Sequence, residues 1–413
     1  MGLENMISQI EVLANQGQNH WQAKVLGSVI DVFDKQRKPL NDSQRLMMKG
    51  VYPYCGANGI VDYINDYLFD GEYILLAEDG GYWGSFDNSA YLMRGKFWVN
   101  NHAHILSARK ETVDNLFLVY LLNYMNIGLF ITGTTRGKLT QGTMLNIPIF
   151  FPPLPEQRAI AHTLQTVQNT IQVRCKELEL ERERKAALMQ YLFTYGTCDE
   201  VLKQTEIGMM PKKWEIVRLG EVFETQLGKM LSQKARTGKS SKPYMRNANV
   251  QWGRVECEDV LEMDFDEREK EKFRLQYGDI LVCEGGEIGR TAIWRDELAE
   301  CYFQKAIHRL RPRGNQMLPA FFLHHMERAF RHQNIYGIAG TQTTIAHLPQ
   351  DKLSAMRIPK PPIDEQREIA QILDACDNKL SALEKEITLH EEFFRTMLEE
   401  LMTGRLSALP LVE

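Results

Sequence analysis

The chain has 413 residues, 44% hydrophobic and 25% charged. That is enough for two or three domains with their own cores, and it excludes wholesale disorder and collagen-like or low-complexity classes. The formal net charge is −5, so a case for nucleic-acid binding has to rest on local charge. Seven cysteines with no CxxC spacing argue against a disulfide framework or a cysteine-rich zinc site. The N-terminus lacks the basic and apolar regions of a signal peptide, and no apolar run approaches the roughly 20 residues that span a bilayer. A soluble, cytoplasmic chain with no membrane partner is expected.

In chain order, residues 1–150 read as a first globular block. Asn58-Gly59, inside 52–64, signals a tight hairpin. Residues 71–81 read as a buried strand ending in a turn, 95–108 as two strands around a polar tip, and 115–126 as a helix. A long helix is expected over 151–195, opening after Pro152-Pro153 and stopping at Gly196. Residues 196–213 read as a linker. The second block, 214–360, follows the same plan: strand-rich 242–250, 276–294 and 301–312, then a helix over 318–331. A second long helix is expected over 361–405, with Gly404 as its stop, and 406–413 as a tail.

The chain repeats itself, and the repeat organises the reading. PPLPEQRAIAHTLQTVQNTI (152–171) and PPIDEQREIAQILDACDNKL (361–380) are identical at nine of twenty positions without a gap. Trp21-QAKV-Leu26-Gly27 matches Trp214-EIVR-Leu219-Gly220, and Gly133-Thr134 matches Gly340-Thr341. The offsets differ, so a variable block lies between shared flanks. In the first long helix the 3/4-spaced seam is Ile160, Leu164, Val167, Ile171, Arg174, Leu178, Glu181, Lys185, Leu188 and Leu192. In the second it is Ile369, Leu373, Cys376, Leu380, Leu383, Ile387, His390, Phe394, Met397 and Leu401. Seams of this length predict coiled-coil pairing, most simply antiparallel within the chain. The three charges in the middle of the first seam argue against tight packing there. The expected fold class is α+β: two globular domains alternating with two long helices that pair as an antiparallel coiled coil, pseudo-two-fold symmetric.

Local charge is segregated. Residues 232–254 and 303–313 carry ten Lys and Arg and no acid, while acids crowd into 256–272. Amide side chains suit adenine edges, and arginine suits guanine and phosphate. The candidates for DNA contact are Tyr54, Asn58, Lys96, Asn100, Asn101, His102, Arg136 and Lys138 in the first block. In the second they are Lys239, Lys242, Arg246, Asn247, Asn249, Arg254, Gln304, Lys305, Arg309, Gln342 and Thr343. For each taken singly, a solvated surface residue is an equal reading; pooled, in two copies, they favour DNA.

Motifs that carry chemistry are missing. No phosphate loop, GxGxxG, HExxH, GxSxG or amino-methyltransferase signature occurs. His102 and His104 would share a strand face, but no third ligand is in sight, so a structural or DNA-facing role is favoured over metal. Asp279 and Glu284 lack the lysine of a nuclease pair, and a strand followed by a glycine turn is the preferred reading.

Two variable blocks, each followed by a PPLPEQRAIA- or PPIDEQREIA-type helix, resemble the specificity subunit of type I restriction–modification systems. The resemblance covers essentially the whole chain. FWVNNHAHIL in block one resembles one type of target-recognition domain. PYMRNANVQWG, YGDILVCEGGEIGR and CYFQKAIHRLRP in block two resemble a different type. The resemblance implies a non-catalytic subunit that binds double-stranded DNA. Each domain would read half of a bipartite asymmetric target, and the coiled coil would set the spacer. Two modification subunits carrying S-adenosylmethionine would dock on the helices, and two restriction subunits would bring ATP and Mg; this chain itself would bind no cofactor or metal. Two rivals are a coiled-coil scaffold whose globules bind protein, and a fused methyltransferase. Steep salt dependence of binding would separate the first rival from DNA recognition, and the missing motifs argue against the second.

Overall fold

A computed structural model describes residues 20–411, apart from 132, 134–136, 199, 233–234, 236–237 and 337–346. The fold is mixed α+β. Contacts divide the chain into two compact units, Met1–Cys175 with Lys385–Glu413, and Lys176–Glu384. Each unit therefore holds one globular block and part of each long helix. All seven cysteines are free thiols, and no helix among the described residues is long and apolar enough to cross a membrane.

The first unit contains β1 (Gln22–Val25), β2 (Ile30–Val32), β3 (Lys49–Gly56), β4 (Gly59–Ile64), β5 (Phe69–Ala77), β6 (Ala90–Val99), β7 (Ala103–Ala108) and β8 (Pro148–Phe151). Six strands form one sheet in the order β2-β7-β5-β6-β3-β4, and β1 pairs antiparallel with β8. The Asn58-Gly59 turn joins β3 to β4 as the sequence predicts, with Gly59 at φ +123°. Asn115–Tyr124 is helical, capped by the Asp114 carboxylate on the Leu116 and Phe117 amides. It buries Phe117, Leu118 and Leu121 in a core shared with Leu26, Ile74 and Leu106.

The second unit contains β9 (Leu202–Thr205), β10 (Gly208–Pro211), β11 (Glu215–Arg218), β12 (Phe223–Leu227), β13 (Ser241–Met245), β14 (Val250–Gln251) and β15 (Arg254–Val255). It continues with β16 (Leu261–Asp264), β17 (Ile280–Cys283), β18 (Thr291–Ile293), β19 (Tyr302–Phe303), β20 (Ile307–Pro312) and β21 (Arg357–Lys360). Strands β12-β20-β17-β18 make one sheet and β16-β13-β19 another, while β11 pairs with β21 as β1 pairs with β8. The expected linker at 196–213 is thus partly a hairpin, β9 with β10.

The long helices run from Leu154 to Tyr195 and from Ile363 to Met402, each about 60 Å long at 1.5 Å per residue. Their pairing is antiparallel. In the first unit Ile160, Ala161 and Leu164 share a core with Leu398, Leu401 and Met402. In the second, Met189, Leu192 and Phe193 share one with Ile369, Ala370 and Leu373. No residue of either seam is fully exposed: Ile160, Leu164, Ile369, Leu373, Leu383, Ile387 and Leu401 are buried, and Val167, Ile171 and Leu380 half-buried. The three seam charges do not open the pair. Arg174 meets Glu386 at 2.9 Å, Glu181 meets Lys379 at 2.5 Å, and Lys185 meets Asp377 at 2.6 Å.

The shared Glu-Gln of the two helix starts has a physical role. Gln157 Oε1 accepts the Asp114 amide at 2.9 Å, and its Nε2 donates to the Thr112 and Pro152 carbonyls. Gln366 Oε1 accepts the Leu318 amide at 2.8 Å, and its Nε2 donates to the Gln316 and Pro361 carbonyls. Both glutamines are completely buried. Each ties a long helix to the helix of its globular block.

Candidate nucleic-acid interface

The two globular blocks share one framework. Strand β3 runs parallel to the end of β6, pairing Tyr54 with Trp98 and Cys55 with Val99. Strand β13 runs parallel to β19, pairing Tyr244 with Tyr302 and Met245 with Phe303. The Asn100 amide then donates to the Cys55 carbonyl, and the Gln304 amide to the Met245 carbonyl, both at 3.0 Å. The polar tip before β7, Asn100–His102, thus sits beside the turn after β3; the tip before β20, Gln304–Ala306, sits beside the turn after β13.

A third segment joins them in each unit. The Glu78 amide donates to the His102 carbonyl, and the Glu284 amide to the Ala306 carbonyl. One strand-turn later, His104 Nε2 meets the Leu139 carbonyl at 2.8 Å and His308 Nε2 meets the Leu348 carbonyl at 2.7 Å. The Leu139 amide returns to the Glu78 carbonyl and the Leu348 amide to the Glu284 carbonyl, both at 2.8 Å. A buried histidine therefore holds the chain that follows each Gly-Thr segment.

In the first unit these segments enclose a cleft of about 290 Å³, lined by Gly56–Val61, Asp79, Gly80, Asn100 and His102. Its polar groups are held in place. Asn58 Nδ2 donates to the Gly80 carbonyl at 3.0 Å, His102 Nδ1 meets Asp79 Oδ1 at 2.5 Å, and Asn100 Oδ1 accepts the His102 amide at 2.8 Å. Lys138 bridges to Asp79 along the backbone, and its ammonium lies 2.7 Å from Glu78. Four of the expected residues, Asn58, Asn100, His102 and Lys138, are brought together here, with Asn101 exposed between two of them. Lys96 is elsewhere, over the Tyr67 ring at 4.5 Å.

In the second unit Asn247 Nδ2 donates to the Gly285 carbonyl at 2.9 Å, as Asn58 does to Gly80, and the Arg290 guanidinium donates to the Asn247 carbonyl at 2.6 Å. Gln304, Lys305 and Asn247 gather at this end. Gly228 passes so close that a Cβ there would lie 2.2 Å from the Gln304 carbonyl oxygen. Ala306 holds φ at +112°, a conformation that non-glycine residues rarely adopt and that concentrates at functional sites. Arg246 is paired with Asp259, Lys242 with Glu300 at 2.6 Å and Arg254 with Glu256 at 2.8 Å. Lys239 is exposed on a loop whose Gly238 and Ser240 amides donate to Asp264.

Besides Asn100, buried in the wall of the cleft, three expected contact residues face inward, and the structure corrects their assignment. Tyr54 is 1% exposed, and its hydroxyl accepts the Leu40 amide. Asn249 is buried with its amide on the Glu256 and Asp259 carbonyls. Arg309 is 3% exposed, bound to Glu224 at 2.9 Å and to the Lys272 carbonyl. Their groups are consumed by the framework and have no surface to offer a duplex. Arg136, Gln342 and Thr343 lie outside the described residues.

The carboxylate and histidine candidates, Asp279 and His104, are structural. Asp279 is buried and receives Arg311 through two bonds of 2.7 Å, a bidentate structural pair. His104 meets Asp34 at 2.6 Å, within a cluster of Asp34, Glu78 and His104 that has the spacing of metal ligands. Arg37 and Lys138 already sit on Glu78, and both nitrogens of His104 are engaged. The cluster is built as an ion-pair network. Burial pushes the Asp34 and Glu78 carboxyls up, but their partners, His104 for Asp34 and Lys138 and Arg37 for Glu78, more than offset it and hold both below the usual range. Asp34, Arg37, Glu78 and Asp79 carry no signal in the sequence, because the contacts that fix them, Asp34 with His104, Arg37 with Glu78 and Asp79 with His102, join residues distant along the chain.

Comparison with known proteins agrees with this architecture. The family model for the type I restriction modification DNA specificity domain matches residues 18–182 and again 211–390. A putative type I restriction enzyme specificity subunit of Haemophilus influenzae is 29% identical over 388 residues, covering 94% of this chain and 95% of its own. A type I restriction enzyme specificity subunit of Methanocaldococcus jannaschii is 26% identical, covering 94% and 93%. The crystal structure of the S subunit of a type I restriction–modification system from M. genitalium superposes with a TM-score of 0.64 at 18% identity, covering 94% of this chain and 98% of that one.

Proposed function

The chain belongs to the type I restriction–modification DNA specificity family, and from that premise we propose how it reads its target. As a specificity subunit it is the DNA-recognition component and not a catalytic one. Each recognition domain reads one half of a bipartite, asymmetric site through the end at which its polar tip, its hairpin turn and its glycine turn meet. The observation that carries this reading is the shared framework with different exposed groups. The same backbone bonds present Asn58, Asn101 and His102 in one domain, and Asn247, Gln304 and Lys305 in the other. A common docking geometry with unlike side chains would give two unlike half-sites.

The paired helices act as the spacer ruler and as the platform for two modification subunits, which supply S-adenosylmethionine and flip the target base. Two restriction subunits, with ATP and Mg, complete the nuclease. The absence of methyltransferase motifs in the sequence supports this division of labour. The test is His102→Ala in the assembled methyltransferase, followed by modified-base mapping. Altered or degenerate bases in one half-site, with the other half-site and the spacer intact, are expected. An unchanged motif would place the reading surface elsewhere.

A further inference from the structure

Lys185 occupies a seam position of the first long helix where the period calls for an apolar side chain, and it is 7% exposed. Its ammonium lies 2.6 Å from Glu327 and 2.6 Å from Asp377. Asp377 belongs to the second long helix. Glu327 opens a π-helical turn, Glu327–His332, that continues the recognition-domain helix Pro319–Met326. Nearby, the fully buried His324 meets Asp374 of the second long helix at 2.9 Å. One cation thus joins three elements of the second unit. His324, Glu327 and Asp377 have the spacing of a metal site, but the lysine ammonium stands on both carboxylates.

The repeat shows what this joint replaces. Gln157 binds the amide of Asp114 and Gln366 the amide of Leu318, so residues 114–124 correspond to 318–328. His324 then corresponds to Tyr120 and Glu327 to Asn123. By the offset of the matched helices, Lys185 corresponds to Phe394 and Asp377 to Gln168. In the first unit Tyr120 packs edge-on against Phe394 at 6.1 Å, and its hydroxyl donates to Gln168 at 2.8 Å. The same joint is aromatic and neutral in one unit, and ionic in the other.

We propose that Lys185, Glu327, Asp377 and His324 form an ionic latch that positions the second recognition domain on the paired helices, and that the two joints are chemically non-interchangeable. Seating the second domain's helix on the first joint would place Glu327 and His324 against Phe394 and Gln168, leaving the acid only Arg331 and His332 of its own turn in place of the buried lysine. Seating the first domain's helix on the second would leave Lys185 with Asp377 as its one acid, facing Tyr120 and Asn123 where Glu327 stood. A mismatch of this kind rejects the wrong partner by leaving a buried charge short of a partner. The latch accounts for Lys185, one of the three charges that interrupt the first seam. These four are positioning residues, and their effect on methylation rests on the reading under Proposed function.

Two measurements on the full chain test the latch. Amide hydrogen exchange of Lys185→Met should lose protection across Phe321–His332, while Phe117–Tyr124 keeps it. Unchanged protection in Phe321–His332 would overturn the latch whether or not the DNA reading holds. In the assembled methyltransferase, base mapping should show the wild-type half-sites kept but methylation spread to spacers one base pair longer or shorter. A single native spacer at wild-type occupancy in Lys185→Met would overturn the positioning role; the wild-type complex, mapped alongside, shows separately whether a bipartite site is read at all. The variant carrying Lys185→Phe, Asp377→Gln, Glu327→Asn and His324→Tyr transplants the neutral joint. It should restore both protection and the native spacer, and failure to restore either would refute the equivalence of the two joints.

Discussion

Gln366→Leu is the sharpest test of the framework. The side chain is completely buried and makes three hydrogen bonds, of 2.8, 3.0 and 2.9 Å, to the Leu318 amide and the Gln316 and Pro361 carbonyls. Leucine keeps the volume but satisfies none of them. A stranded buried polar group costs about 1–3 kcal/mol. After the gain from burying leucine methyls, we expect a net loss of roughly 3 kcal/mol, which is at the upper end of ordinary point mutations. For a unit of this size each kcal/mol lowers Tm by about 2–4 °C, so scanning calorimetry should record a drop of about 6–12 °C. Gln371→Leu, exposed on the same helix, serves as control and should shift Tm by no more than about 2 °C. If the two variants melt together, the glutamine is not the tie between helix and globule, and the physical reading of the repeated Glu-Gln falls with it.

The remaining expectations follow from the same contacts. Arg311→Met strands the buried carboxylate of Asp279 and should destabilise by about 3–5 kcal/mol, measured by urea unfolding; a loss below about 1 kcal/mol would mean that Asp279 is hydrated. Asp34 and Glu78 have folded pKa values below their ordinary values of 3.8 and 4.5, so the stability they give is present above those values and drains away as pH falls through the lowered ones. The first unit should therefore lose stability progressively below about pH 5, and Asp34→Asn should flatten that slope; an unchanged slope would contradict the network. Gly228→Ala puts a Cβ 2.2 Å from the Gln304 carbonyl oxygen and should weaken DNA binding and melting together, whereas a variant indistinguishable from wild type would show that the Gln304 tip yields freely.

The architecture was legible in the sequence where physics is local or periodic. The seam from Ile160 to Leu192 and the hairpin at Asn58-Gly59 are set by spacing and by a backbone that only glycine adopts easily. The repeat carried the pairing of the two helices, because like surfaces with like seams bury one another. What stayed hidden depends on partners far along the chain. Strand alternation shows that Arg309 and Arg311 share a face of β20, but not that Glu224 and the Lys272 carbonyl cover it. Tyr54 and Asn249 resemble contact residues by type, and only the fold reveals that Leu40 and Glu256 consume them. Lys185 read as a defect in a seam, because Glu327 lies 142 residues away. The polar tips at Asn100–His102 and Gln304–Ala306 could be singled out because they interrupt apolar strands, while the acids that orient them could not.

A specificity subunit of this family should confer a bipartite target on its methyltransferase. The direct measurement is modified-base mapping of DNA from cells that carry the modification subunit with and without this chain. A methylated motif of two unlike half-sites separated by a fixed spacer, present only with the chain, is expected. An assembled complex that leaves no such motif, or a motif that persists without the chain, would contradict it.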